Sequence, residues 1–280
     1  MQSRNSYAVY IGAIILAIIF FYPLWVLVLY SFEPTSFTIG TLYPAQIPFG
    51  LTLHNLYSSF AQVGPFITAS MIRSFEVAFM VGGIGLALGI PAGYGLSKLT
   101  ARISNKIIVL LFIINMMPGL VIAIPISVDF LKIGLAGSDY FTMVGVALAQ
   151  ELVVLPLTVF IILGGFRSLP KEIENQARVD GAGFGSAMFR LLLPMNKIAI
   201  FVAFLLSWMT SWDEFTYAVI IAPIAPTDST FPVTLYNYVA RGFPIESSVF
   251  ALIASIPVII LAVVIMKYLK GEYLTGGLVG

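Results

Sequence analysis

The 280-residue sequence contains no cysteine and a single histidine, His54. The absence of cysteine excludes disulfides, thiol catalysis and thiolate metal sites. One histidine cannot form a metal site with imidazole partners, so we expect neither a metal ion nor a catalytic residue in this chain. The sequence also lacks a G-x-x-x-x-G-K-[ST] motif, so it has no phosphate-binding loop of the kind used to hydrolyse ATP.

Charged residues are scarce, at 10% of the chain, whereas an ordinary soluble domain has about 25%. Hydrophobic residues make up 59%. A single globular core cannot bury that much apolar surface, so lipid must cover the remainder. The formal net charge is only +1 and no cluster of Lys and Arg is present. We therefore expect a lipid bilayer, and no nucleic acid, among the partners.

Six apolar runs are long enough to cross the hydrocarbon of a bilayer, which takes about 20 residues each. All should be helices, because an unpaired backbone amide in lipid is costly and a helix pairs its amides internally. The sequence therefore predicts an all-α, polytopic membrane protein, with one transmembrane domain over residues 1–280. The predicted spans cover residues 7–31, 72–96, 107–128, 140–166, 198–222 and 249–266.

The first run is predicted to be a span and not a secretory signal. It continues to Ser31, beyond the core of about 7 to 15 residues that a signal has, and it ends without a small-x-small cleavage site. The segment that follows, residues 32–71, contains four prolines and is predicted to be an irregular or partly helical outer lid.

The positive charges predict the orientation, because cytoplasmic loops collect Lys and Arg. Eleven of the fourteen fall on one side of the predicted spans, which places both termini in the cytoplasm. They are Arg4, Lys98, Arg102, Lys106, Arg167, Lys171, Arg178, Arg190, Lys197, Lys267 and Lys270.

The predicted cytoplasmic loop 167–197 reads as two short helices joined by a tight turn. Glu172 and Glu174 suit the positive end of a helix dipole. Asp180 and Gly181 predict a break followed by a new N-cap. A short surface helix on this face is suited to being held by another protein. The predicted side of the second helix carries Phe184, Phe189 and Leu192.

At these residues the chain resembles the inner-membrane permeases of ABC importers, whose signature loop runs roughly E-A-A-x-x-x-G with a trailing I-x-L-P. Asp180-Gly181-Ala182 and Leu191-Leu192-Leu193-Pro194 match that pattern with its eight-residue spacing intact. The chain departs from the pattern at Asn175-Gln176-Ala177, where most members have Glu-Ala-Ala, and Glu174 lies one position earlier. Which side chain contacts the ATPase is therefore left open.

Further matches, in the same order along the chain, resemble the carbohydrate-uptake, maltose-type subgroup. They are Pro23-Leu24-Trp25 with Ser31-Phe32, Met117-Pro118-Gly119 with Ile124-Pro125, Trp212-Asp213-Glu214-Phe215, and the tail from Leu274 to Gly280. The tail lacks the lysine of the subgroup and is one residue shorter.

The resemblance implies a type I ABC importer permease in the cell membrane that translocates a sugar or oligosaccharide by alternating access. It implies a second permease subunit, distinct from this one, two ATP-binding subunits that use ATP and Mg, and an extracytoplasmic solute-binding protein. This chain itself is expected to bind no cofactor. The residues implied in coupling to the ATPase are Glu172, Glu174, Ala177, Asp180, Gly181 and Ala182.

Simpler roles are available for the same loop residues. Glu174 and Arg178 are spaced to form an i,i+4 ion pair worth a few tenths of a kcal/mol. Asp180 and Gly181 are also explained as a helix break alone.

Charged residues inside spans normally face protein or water. Glu151 and Asp213 lie about 15 and 16 residues from the inner ends of their predicted spans, so both sit about 22 to 24 Å above the inner surface. We expect Gln150, Glu151, Trp212 and Asp213 to lie near the solute path, with Trp212 offering a ring face to a sugar. The alternative is hydrogen bonding between helices near the outer interface.

Three other functions make different demands on the sequence. An intramembrane enzyme would need His, Cys or paired carboxylates on facing spans, and few are available. A secondary transporter would need two homologous inverted halves, and no clear repeat is present. A permease for a non-sugar solute, such as a polyamine or glycerol-phosphate, would share the same loop.

Overall fold

The computed structural model describes residues 2–34, 50–137, 139–222 and 229–276. The described part is built from helices and contains no strand. The predicted all-α architecture is therefore confirmed. The long helices are α1 (Gln2–Phe32), α2 (His54–Lys98), α3 (Ala101–Asn115), α4 (Gly119–Lys132), α5 (Asp139–Ser168), α9 (Lys197–Trp212) and α12 (Pro244–Gly276).

Shorter elements connect these helices. They are α6 (Lys171–Val179), α7 (Phe184–Ala187), a π-helical turn (Met188–Leu192), α8 (Leu193–Met195), α10 (Thr216–Ile221) and α11 (Phe231–Ala240).

Four helices are long and apolar enough to cross a membrane, and two bent pairs of helices raise the possible number to six. The four are Val9–Phe32, His54–Lys98, Phe141–Ser168 and Pro244–Met266. The pairs join α3 to α4 with a bend of 83°, and residues 184–195 to α9 with a bend of 74°. Each of the six predicted spans overlaps one of these helices or pairs.

The third predicted span, 107–128, is not one straight helix. It ends at Asn115 and restarts at Gly119. Pro118 lies between the two helices, where it has no N–H to donate and disfavours the helical conformation of Met117 before it. The bend is therefore encoded by this proline.

The fifth predicted span, 198–222, is also interrupted. The helix α9 ends at Trp212, and α10 begins only at Thr216. In the gap, the carboxylate of Glu214 accepts hydrogen bonds from the backbone N–H groups of Tyr217, at 2.9 Å, and Ala218, at 3.3 Å. A side-chain acceptor at a helix start satisfies amides that would otherwise lack a partner.

The predicted outer lid, residues 32–71, is partly helical but more regular than expected. The helix α2 begins at His54, well before the predicted start of the second span. Asn55 in its first turn donates from Nδ2 to the carbonyl oxygens of Tyr30, at 3.0 Å, and Glu33, at 2.8 Å. These bonds use free carbonyls at the end of α1. Residues 35–49 of the predicted lid lie outside the described residues.

The chain divides into two compact units, and α2 and α12 contribute to both. The first unit is Met1–Thr68 with Thr234–Pro257, where Phe60 and Phe250 pack edge to face with ring centroids 5.4 Å apart. The second unit is Ala69–Val233 with Val258–Gly280. In the second unit α5 is central, since it packs against α3, α4, α9 and α10.

Glycines allow α2 to approach its neighbours closely within the second unit. A Cβ atom added at Gly82 would lie 2.5 Å from Phe204, and one added at Gly89 would lie 2.7 Å from Thr158. The same construction at Gly93 meets Ile162 at 2.7 Å. Small residues at helix contacts are typical of packing in lipid. Gly83 has no atom within 4 Å, so it does not share this role.

Candidate coupling site and solute path

The loop 167–197, called the coupling loop below, consists of a helix, a glycine turn and a second, irregular helix. After α6 the chain turns at Gly181, whose φ is +80°. The backbone N–H of Ala182 bonds the carbonyl of Ala177 at 2.9 Å, which closes the end of α6. This arrangement is a glycine-terminated helix end, and it confirms the predicted break. The new N-cap is Gly183, and not Asp180 as predicted, because Asp180 still belongs to the end of α6.

The second helix of the loop does not present one apolar face. Leu192 is buried with Phe166 and Met188, whereas Phe184 and Phe189 are exposed. The π-helical turn Met188–Leu192 changes the register within the helix, so positions expected to align do not. The predicted shared side of Phe184, Phe189 and Leu192 is therefore wrong.

Glu174 faces the protein, and its carboxylate is fully engaged. The side chain accepts hydrogen bonds from the hydroxyl of Tyr94 at 2.9 Å and from the guanidinium of Arg178 at 2.8 Å. The ammonium group of Lys98 forms an ion pair with its other oxygen. The i,i+4 pair with Arg178, considered from sequence, is therefore one of three contacts. Two of the three come from the inner end of α2.

The environment of Glu174 favours its charged form. Burial raises the pKa of this carboxyl, but the hydrogen bonds from Lys98, Tyr94 and Arg178 and the positive charge of Lys98 outweigh burial. The pKa of Glu174 is consequently held below its ordinary value. The carboxylate stays ionised, and thus bonded, at neutral pH.

Other predicted coupling residues lie on the surface of the loop. Glu172, Asp180 and Gly181 are exposed, and Ala177 and Ala182 are half-buried. Large apolar side chains stand out beside them. Val179 is 87% exposed, Phe184 65% and Phe189 73%.

Among the predicted solute-path residues, Gln150 is a hydrogen-bonding bridge. It is buried on α5, donates from Nε2 to Glu214 at 3.1 Å and accepts from the hydroxyl of Ser211 at 2.5 Å. Further along the interface between α5 and α9, the hydroxyls of Thr158 and Ser207 lie 2.8 Å apart. These contacts join α5 to α9 and to the gap that follows α9, as the helix-to-helix alternative anticipates for Gln150.

The side chain of Glu151, unlike that of the adjacent Gln150, makes no hydrogen bond to the described part of the chain. It is 6% exposed, and within the described part of the chain neither carboxylate oxygen has a hydrogen-bond partner. It points at α2, where a Cβ added to Gly85 would lie 3.4 Å from Oε2. A buried carboxylate without a partner is unfavourable and within a membrane usually has a functional reason, so the role of Glu151 on the solute path stays a prediction.

Trp212 and Asp213 differ from Glu151 in their surroundings. Trp212 is buried in an aromatic cluster with Phe75, Trp208 and Phe231, its ring centroid 4.7 Å from that of Phe75 and 5.2 Å from that of Trp208. Its rings are covered in this conformation, whereas Asp213 is exposed. The predicted role of both residues on the solute path stays a prediction.

Several residues that shape these sites were not found from sequence. Tyr94 and Lys98 contact Glu174 from about 80 residues away, at sequence separations of 80 and 76. Glu214 was noted only as a member of a motif, yet it caps α10 and bonds Gln150. One available signal was that Tyr94 and Lys98 are polar, four residues apart, and therefore on one side of a helix end.

The comparisons with known proteins agree with this architecture. The inner membrane ABC transporter permease protein YcjP of Escherichia coli is 25% identical over 97% of this chain and 95% of its own length. The sulfoquinovosyl glycerol transport system permease protein SmoH of Agrobacterium fabrum is 25% identical over 97% of this chain and 93% of its own length.

A solved structure of a bacterial ABC transporter that imports the acidic polysaccharide alginate contains a chain with the same fold. The TM-score is 0.72 at 18% identity, and the match covers 96% of this chain and 98% of that chain. At this identity the likeness shows the fold alone. The predicted architecture of an ABC importer permease is thereby confirmed.

Residues 85–272, more than half of the chain, match the family described as binding-protein-dependent transport system inner membrane component. The match includes α5, the coupling loop and α9. It confirms the predicted transport function and the multi-pass location in the cell membrane. The chain belongs to the family of inner membrane components of binding-protein-dependent transport systems, and it is a permease subunit of such a system.

Proposed function

We propose that this chain is one of two permease subunits of a carbohydrate importer, and that separate ATP-binding subunits drive it through the loop 167–197. Residues 1–280 form its transmembrane permease domain, with both termini in the cytoplasm. The second permease subunit is a distinct protein. Two ATP-binding subunits consume ATP with Mg, and an extracytoplasmic binding protein delivers the solute.

The observation that carries the proposal is the exposed apolar surface of the coupling loop. Val179, Phe184 and Phe189 are exposed in a loop that its positive charges predict to be cytoplasmic. Several large apolar side chains exposed on one short loop favour a surface that another protein covers. Covering one such side chain fully stabilises a complex by about 1.5 to 3 kcal/mol before other terms. The occupant that fits a transport permease is its ATPase.

Three features support a carbohydrate cargo. The relative SmoH is named for sulfoquinovosyl glycerol, whose sulfoquinovosyl group is a sugar. Four sequence matches, from Pro23-Leu24-Trp25 to the tail beginning at Leu274, resemble the carbohydrate-uptake subgroup. Within the chain, the orphan carboxylate of Glu151 is a suitable acceptor for sugar hydroxyl groups.

Reconstitution tests the proposal. The chain is purified in mild detergent with the proteins that accompany it, these are identified, and the complex with its binding protein is placed in liposomes. We expect uptake of radiolabelled maltose, trehalose or raffinose. This uptake should require ATP on the side of the liposome membrane where the loop 167–197 lies. Uptake of spermidine and of glycerol 3-phosphate is measured in the same way, because they represent the alternative, non-sugar cargoes.

The outcomes separate the parts of the proposal. Uptake of spermidine or glycerol 3-phosphate, and of no sugar, would show that the cargo is wrong and that the ATP coupling stands. A purified chain that binds no ATP-hydrolysing protein would overturn the proposal as a whole.

A further inference from the structure

Glu174 is one of the residues that the resemblance implies in coupling to the ATPase, and in the structure its side chain contacts α2. Its carboxylate lies against α2 and is only 8% exposed. One oxygen accepts from Tyr94 and Arg178, and the other pairs with Lys98. A carboxylate with both oxygens occupied by its own chain has little capacity left for a partner protein.

Tyr94 connects Glu174 to two further elements. Its ring packs edge to face on Phe166 near the end of α5, with centroids 5.4 Å apart. The same ring lies 5.7 Å from that of Phe184 at the start of α7. Lys98 completes the group, because its ammonium nitrogen stands 4.7 Å from the centroid of the Tyr94 ring. One turn of α2 therefore touches both helices of the coupling loop and the helix that precedes it.

Movement of Tyr94, Lys98 and Glu174 can be transmitted along α2 to its contact with α5. Above it, α2 meets α5 through Gly93 and Gly89, where an added Cβ would clash with Ile162 and Thr158 at 2.7 Å in each case. Helices in such close contact move together, because close-packed interiors have little room to deform. A displacement of α6 that pulls on Lys98 and Tyr94 is consequently a displacement of the inner half of α2.

The contact is also accessible enough to break and form again. Lys98 keeps 45% of its side chain exposed while Glu174 is nearly covered. A cleft of about 570 Å³ lies beside the group, and its lining includes Lys98, Arg167, Glu174 and Arg178. Water that enters the cleft can solvate the cations when they separate from the carboxylate, which lowers the penalty for separation.

We propose that Tyr94, Lys98 and Glu174 form a joint that transmits movement of the coupling helix α6 to the transmembrane helix α2. In this assignment Glu174 is a positioning residue inside the permease, and the ATPase is contacted by the exposed residues of the loop. The inference rests on the proposed function, since it needs an ATPase that moves the loop. Loss of the joint leaves ATP hydrolysis running while the transmembrane helices no longer follow it.

The test compares substitutions in the reconstituted complex by two rates, ATP hydrolysis and solute uptake. Glu174→Gln keeps the shape of the side chain and removes its charge. We expect uptake per ATP hydrolysed to fall about tenfold, which is the loss of one hydrogen bond to a charged group, while hydrolysis continues. Glu172→Gln on the same helix alters an exposed residue of the loop, so it should change hydrolysis and uptake by one common factor and keep their ratio.

An exposed ion pair provides the matched control. Asp129 and Lys132 form a pair at 2.8 Å in which both side chains are exposed. Asp129→Asn removes the same charge as the change at Glu174, and it should leave both rates as in the wild type because exposed pairs contribute little. If Glu174→Gln and Asp129→Asn gave the same uptake per ATP hydrolysed, the proposed joint would be wrong.

Two milder substitutions decide the question if Glu174→Gln does not assemble. Tyr94→Phe removes one hydroxyl and keeps the ring contacts, and Lys98→Met removes one charge and keeps the length. Both substitutions should lower uptake per ATP hydrolysed. If both variants kept the wild-type value, the proposed joint would be contradicted. Absence of ATP-driven uptake in the wild-type complex would instead contradict the proposed function.

Discussion

Glu151 and Glu174 are buried to nearly the same extent, at 6% and 8% exposure, yet their surroundings are opposite. Glu174 lies at the membrane surface and meets three donors from its own chain. Glu151 lies within a span, and among the described residues its oxygens meet none. The first arrangement holds two elements together. The second leaves both oxygens of Glu151 able to accept hydrogen bonds from another group.

The difference agrees with the separate roles proposed for the two carboxylates, Glu174 in coupling and Glu151 in contact with the cargo. A buried charge is tolerated when hydrogen bonds and opposite charges compensate its lost hydration, as at Glu174. Without such partners a charged group within a membrane is costly and usually has a functional reason. We therefore propose Glu151 for contacts with the cargo and Glu174 for the contacts that link α6 to α2.

The largest effect is expected from Glu151→Ala. Removal of the unpartnered carboxylate should lower uptake at least tenfold, about the worth of one hydrogen bond from a charged group to a ligand. Folding should not suffer, because no internal bond is lost. Uptake in liposomes and the melting temperature of the purified complex are the measurements. Uptake unchanged by the substitution would remove Glu151 from the solute path and end the contrast with Glu174.

A second prediction concerns the glycine contact between α2 and α5 on which the joint depends. Gly93→Ala places a methyl group 2.7 Å from Ile162 and 3.0 Å from the backbone nitrogen of Leu163. Overpacking of this kind costs about 1 to 3 kcal/mol, so the melting temperature and the yield should fall. Gly95→Ala, two residues away with no atom within 4 Å, is the control and should be neutral or slightly stabilising. If the two variants had the same melting temperature and yield, the close contact between α2 and α5 at Gly93 would be contradicted.

The smallest effect is expected from pH. The pKa of Glu174 lies below its ordinary value of 4.5, so the stabilisation from its bonds is present above that value and is lost as pH falls through the lowered pKa. The groups that face it are Tyr94, Lys98 and Arg178, with Arg167 in the same cleft, and none is a histidine. Uptake per ATP hydrolysed should therefore be flat from about pH 8 to about pH 5.5. A steep change within that window would contradict the assigned environment.

Local signals in the sequence predicted much of the fold. Apolar length identified all six candidate crossings, and the glycine at position 181 located the break after α6. The interruptions were missed because hydropathy does not register them. Pro118 and the carboxylate of Glu214 reshape their spans without changing how apolar the runs are. Turn chemistry inside an apolar run is the feature to examine first in similar chains.

The sites were predicted less completely, and the reason is sequence distance. The positions of Glu151 and Glu174 were identified, but their roles depend on residues of α2 that lie far away in the sequence. Nothing in the loop itself indicates that Glu174 turns inward to Tyr94 and Lys98. Asp213 was placed inside a span from the sequence, but the helix ends at Trp212 and Asp213 is exposed after it.

Site-directed cross-linking tests the central claim, that the coupling loop is where a separate ATPase acts, most directly. The chain has no cysteine, so Val179→Cys creates a single thiol on the most exposed apolar side chain of α6. Val239→Cys, on the exposed surface of α11 on the opposite predicted side, is the matched control. With a thiol-to-amine cross-linker in the purified complex, the thiol at 179 should join an ATP-hydrolysing protein and the thiol at 239 should not. Cross-linking at 239 and none at 179 would contradict the account.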